Sequence, residues 1–206
     1  MIGSANTLAI AFEGATQLAF GPLREVVVAA KEATERGTPQ AVLIFDDLTS
    51  HPLEVDLRGS VADVVARLEP APILPTAVSS AEPEGPRGPG RPKLGVVARE
   101  ITLLPRHWEW LAKQPGGASV AIRKLVDEAK KQNELKDRAR AAQEAAYRFM
   151  STMAGNQPDF EEATRAFFAN NAELFEELTQ AWPTDVREHA AVLASRAMGA
   201  TRYKAV

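Results

Sequence analysis

Three histidines and a small group of aspartates are the side chains in this sequence best suited to catalysis. His51 lies in a Thr49-Ser50-His51-Pro52 turn, His107 in the first turn of an expected helix, and His189 on the last expected helix. No His-x-x-x-His or His-Glu pair occurs, so no two ligands sit at the spacing a metal site needs. Each histidine therefore reads as a surface or helix-end residue. The chain has no cysteine, which removes thiol catalysis, disulfides and cysteine-based zinc sites together. Asp46-Asp47 follows a buried-type strand, with Asp56 nearby, and carboxylates at a strand end can hold Mg²⁺. The run Asp46 to Pro52 also has the composition of a turn in which aspartate accepts backbone N–H bonds, and that reading is preferred. No P-loop, Gly-x-Ser-x-Gly or Gly-x-Gly-x-x-Gly is present. The expectation is a protein without enzymatic activity, cofactor or metal.

Charge carries the stronger signal. The 206-residue chain has a net charge of −3, yet residues 86–132 hold ten basic and four acidic side chains, against five and ten in residues 1–70. A basic middle in an acidic protein points to an anionic partner. That segment opens with Arg87-Gly88-Pro89-Gly90-Arg91-Pro92-Lys93. Glycine lets a backbone approach a groove floor, proline keeps it extended, and arginine suits the negative minor groove of A·T-rich duplex DNA. Gly90-Arg91-Pro92 with its basic flanks resembles an AT-hook, departing from it where Pro89 separates Gly88 from Gly90 and displaces Arg87. The resemblance implies minor-groove and phosphate contacts from Arg87, Arg91, Pro92 and Lys93.

A second pattern follows. Val96 to Leu104, with Arg99-Glu100-Ile101-Thr102-Leu103-Leu104 at its end, reads as a strand stopping at Pro105, which opens a helix through about Lys113. Gln114-Pro115-Gly116-Gly117 breaks the chain, and Ser119-Val120-Ala121-Ile122-Arg123 begins another helix. Over about 35 residues this resembles a ribbon-helix-helix unit of the Arc and MetJ kind. The resemblance implies a homodimer. One strand and two helices cannot close a core, whereas two copies pairing their strands would bury Ile101, Leu103, Trp108, Leu111, Ile122, Leu125 and Val126. The paired ribbon fits the major groove. Arg106, Gly117 and Ser119 would anchor phosphates, the last two through free backbone N–H groups at a helix start. If Ile101 and Leu103 point inward, Glu100, Thr102 and Leu104 face out; a shift of one face would expose Arg99 instead. Trp108 and Trp110 read as core and interface aromatics.

These segments need elements to hold them. With 45% hydrophobic and 25% charged residues, the composition is that of a globular chain. Residues 1–69 predict a small β-β-α-β-β-α domain. Its strands are Thr7–Glu13, Thr16–Phe20, Gln40–Phe45 and the strictly alternating Leu53–Leu57. Gly21-Pro22 opens its first helix and Gly37 stops it; Ser60, with Asp63, caps its second. Residues 70–95 form a Pro/Gly-rich basic linker that buries too little apolar surface to order itself. Residues 96–132 hold the ribbon-helix-helix-like unit, and residues 133–206 a helical region. One long helix runs from near Ser119 to about Ala154, or two with a soft joint, then Phe160–Phe168, Ala172–Trp182 and Thr184–Met198. Their apolar stripe, from Phe160 to Leu193, reads as core. The fold class is α+β.

No apolar run approaches ~18 residues and no basic, apolar leader precedes the first strand, so a cytoplasmic protein with no membrane partner is expected. The chain as a whole resembles an uncharacterised bacterial family, domain of unknown function 2239. Gly90 to Leu111, Phe45-Asp46-Asp47-Leu48-Thr49 and Asp56-Leu57-Arg58-Gly59 carry that resemblance. It implies a natural bacterial protein and no particular activity. The functional expectation is a dimeric DNA-binding protein, a transcriptional regulator or nucleoid-type protein binding duplex DNA. The alternative is a protein–protein adaptor, antitoxin-like or sensory, that binds no DNA.

Overall fold

The computed structural model describes residues 7–37, 39–68, 97 and 99–202. The linker 70–95, and with it Arg87, Arg91, Pro92 and Lys93, lies outside the described residues. In chain order the elements are β1 (Leu8–Glu13), β2 (Thr16–Pro22), α1 (Leu23–Glu35), β3 (Val42–Asp46), α2 (Val61–Leu68), α3 (Pro105–Ala112), α4 (Gly117–Ala154), α5 (Phe160–Phe168), α6 (Ala172–Leu178) and α7 (Thr184–Arg202). The chain divides into two units: residues 1–71 with 133–206, and residues 72–132. Helix α4 contributes to both.

In the first unit, three antiparallel strands lie in the order β2-β1-β3. The central strand β1 reads Leu-Ala-Ile-Ala-Phe-Glu and is buried on both faces, which is why its sequence is continuously apolar rather than alternating. Side chains still divide by parity. Ala9 and Ala11 pack with Leu23, Val26, Val27 and Ala30 of α1 and with Val64 and Leu68 of α2. Ile10, Phe12 and Phe45 join Phe149, Met150, Phe167, Phe175, Trp182 and Val186 from the C-terminal helices. The expected N-terminal domain thus shares its second core with the helical region.

Local chemistry sets the boundaries. Pro22 ends β2 and caps α1 at φ −55°, ψ 138°, so Leu23 and not the proline is the first helical residue. Gly37, at φ +75°, follows the last turn. Helix α2 opens on a reciprocal box: the Asp63 N–H donates to Ser60 Oγ at 3.2 Å, and the Ser60 N–H to Asp63 Oδ2 at 2.8 Å. On the edge strand, a bulge leaves Leu18 opposite no residue of β1. Beside it the Gln17 N–H donates to Asp185 Oδ2 of α7 at 2.7 Å, a side chain covering a sheet edge.

Two expectations are corrected. Leu53–Leu57 is not a fourth strand. It touches β3 through one bridge, Phe45 to Pro52, and one bond from the Leu53 N–H to the Ile44 carbonyl at 2.7 Å. Leu53, Val55 and Leu57 pack half-buried on the α1–α2 core while Glu54 and Asp56 face out. The alternation therefore reports burial without a ladder. In the helical region, Phe168, Leu174 and Val192 are substantially exposed rather than core, although Phe167, Phe175 and Leu193 are buried. No helix among the described residues is long and apolar enough to cross a membrane.

Candidate functional site

The second unit is small, and most of the apolar side chains among its described residues lie open. Pro105 stands at the first position of α3, after Leu104 in extended geometry (φ −65°, ψ 150°). Helix α3 ends at Ala112 with Lys113 as its C-cap, and the turn into α4 uses Gly116 at φ +84° and Gly117 at φ +75°. Both values lie where a side chain is strained, and a Cβ on Gly116 would also press on Val120 at 3.2 Å. This turn brings α3 against the start of α4. Leu111 and Ala121 are the apolar residues of this unit that become buried among the described residues.

Between α3, α4 and the preceding segment lies a cavity of about 490 Å³, walled by Ile101, Leu103, His107, Trp110, Leu111, Ile122, Leu125, Val126 and Ala129. Six of the seven expected interface residues wall it; the exception is Trp108, replaced by Trp110. Ile101, Trp110, Leu125 and Val126 are each about half exposed. Residues 99–104, expected as a strand, belong to no strand among the described residues, and the Leu104 carbonyl accepts from the His107 N–H at 2.8 Å and the Trp108 N–H at 3.3 Å in the first turn of α3. Arg99, Glu100, Thr102, Arg106 and Ser119 are all exposed. The Gly117 N–H, expected to be free, donates to the Gln114 carbonyl at 3.0 Å.

The candidate catalytic residues do not converge. Asp46 Oδ1 accepts from the Leu48 N–H at 3.1 Å and from the Thr49 N–H and hydroxyl at 2.7 Å each, a side-chain-closed turn. Asp47 pairs with Arg196 at 3.0 Å. Asp56 accepts two bonds from the Arg58 guanidinium at 2.8 Å, which holds its carboxyl well below the ordinary range. Among the described residues no three His, Asp or Glu side chains are placed to hold a metal.

His51 is exposed in its turn and His107 in the first turn of α3. His189 departs from the expectation of a surface or helix-end residue. It is buried, with its ring 4.6 Å from Phe149 and 6.1 Å from Phe12. Burial pushes its pKa from 6.5 down to about 4, with Asp47 opposing and Arg196 reinforcing. The unfolded chain then binds a proton between pH 6.5 and 4 that the folded chain refuses, so stability falls as pH drops through that window. The expected loss is about 3 kcal/mol. Urea unfolding of wild type and His189→Leu at pH 7 and pH 4.5 checks this. The variant should lose less stability over that interval, and equal losses would remove His189 as the cause.

A model of the family described as "Uncharacterized protein conserved in bacteria (DUF2239)" matches residues 8–194. No curated protein and no solved structure matches the chain.

Proposed function

Since the chain belongs to that bacterial family, whose matched span takes in both units and whose description names no activity, we propose from the open apolar cavity and its basic surroundings that the protein is a dimeric DNA-binding protein. The observation that carries this reading is the coincidence of two deficits at one place. Residues 99–104 lie in no strand among the described residues, and the cavity that Ile101 and Leu103 help to wall exposes large apolar side chains. A second copy remedies both. Two such segments run antiparallel complete each other's hydrogen bonds, and the two-fold axis returns each copy's Ile101 and Leu103 to the other's cavity. The outer face of that ribbon carries Glu100 and Thr102 or, in the other register, Arg99. A two-stranded ribbon fits the major groove of B-DNA. Arg106 and Ser119 flank it for phosphates, and Arg87, Arg91, Pro92 and Lys93 supply an arm for the A·T-rich minor groove.

Titrating salt against affinity for an A·T-rich duplex tests the reading. Log affinity should fall linearly with log salt, and Arg91→Ala with Lys93→Ala should reduce the slope by roughly one to two units. Absence of binding at low salt would overturn it. Glu100, exposed beside the cavity, favours the second reading of a protein–protein adaptor; that reading is supported if the dimer forms but ignores duplex DNA.

A further inference from the structure

The first unit contains a separate cavity of about 450 Å³, inside the size range of small-molecule sites. Its walls come from the turn after β3, from α4 and from the last helix. Ala141, Ala142 and Ala145 of α4, Leu48 of the turn and Leu193 of α7 make most of the surface apolar. Three arginines, Arg138, Arg148 and Arg196, also line it.

The three cations differ in what already satisfies them. Arg138 is paired with Glu134 at 2.5 Å. Arg196 is paired with Asp47 at 3.0 Å and also donates to the Asp47 carbonyl. Arg148 donates to the Thr49 carbonyl, a neutral acceptor, and is itself only half exposed. Glu144, one turn earlier on α4, also lines the cavity but is exposed and is not ion-paired with it. A guanidinium removed in part from water and given no counter-ion among the described residues is the group most improved by an incoming anion, since charge-assisted and bidentate bonds are the strong ones. Its fixed fork matches a carboxylate. Thr49 and His51 line the cavity at the turn, and the alanine-lined remainder favours a hydrocarbon body.

We propose that this cavity binds a small amphipathic carboxylate, its head on Arg148 and its apolar body against Ala141, Ala142, Ala145 and Leu193. The site is independent of the DNA-binding reading: its residues belong to the first unit, whereas the dimer cavity belongs to the second.

Calorimetric titration of the full chain with decanoate, decanol and acetate tests it. Decanoate should bind one per chain, with decanol and acetate at least tenfold weaker, because each lacks one half of the match. Arg148→Gln should bring decanoate to the level of decanol, and Arg148→Lys should recover part of the difference. Should Arg148→Gln fail to fold, Ala141→Phe, which fills the cavity from an exposed position, should abolish decanoate binding. Ile101→Asp with Leu103→Asp should leave decanoate binding unchanged, which separates this site from the apolar cavity of the second unit. Equal affinity for decanoate and decanol, no saturable binding of decanoate, or binding that survives Ala141→Phe would each overturn the proposal.

Discussion

A chain carrying Ile101→Asp and Leu103→Asp should sediment as a monomer at concentrations where the proposed wild-type dimer forms, and the proposed affinity for duplex DNA should fall by at least about a hundredfold. In a single copy Ile101 is more than half exposed and Leu103 half-buried, so aspartate there costs the monomer little. In the proposed dimer both positions face the other copy's cavity, and two-fold symmetry doubles the change to four carboxylates. Each buried, unpaired carboxylate costs several kcal/mol, far more than a tenfold change in association requires. The added negative charge would also repel phosphate, so sedimentation without DNA is the decisive measurement. Leu48→Asp, at a highly exposed leucine of the first unit, adds charge elsewhere and should leave the mass unchanged. Identical masses for wild type and the double variant would remove the ribbon from the account.

Phe149→Ala should destabilise the first unit by about 3–5 kcal/mol. Phe149 is fully buried, and its ring lies 5.5 Å from Phe12 of β1 and 5.6 Å from Phe45 of β3. Truncation removes those aromatic contacts and leaves a void where the sheet meets α4. For a body of this size the loss corresponds to a fall in Tm of roughly 6–20 °C. Phe168→Ala makes the contrast, because that ring is half exposed; a loss under about 1 kcal/mol is expected there. If the two variants melted alike, the joint core of sheet and helices would be refuted.

Much of the local structure was legible because local chemistry determines it. Gly37 after α1, Pro105 at the start of α3, the Ser60–Asp63 box and the turn closed by Asp46 each depend on residues within a few positions. Leu53–Leu57 misled for a physical reason: alternation measures which side chains are buried, and burial against α1 and α2 produces it without a neighbouring strand. The cavity of the first unit was out of reach. Its geometry depends on Arg148 meeting Thr49 and Arg196 meeting Asp47, contacts 99 and 149 residues apart in the chain. The burial of His189 between Phe12 and Phe149 is equally non-local. In the second unit the helices and the glycine turn followed from sequence, but the open cavity between them did not, and periodicity does not distinguish Trp108 from Trp110 as the ring beside it.

The shared core also has a consequence for biosynthesis. Ile10, Phe12 and Phe45 leave the ribosome long before Phe149, Phe175 and Trp182 exist to cover them. At ~5–20 residues per second, the nascent sheet waits on the order of ten seconds with one greasy side uncovered. Transiently exposed apolar surface of this kind is what chaperones cover.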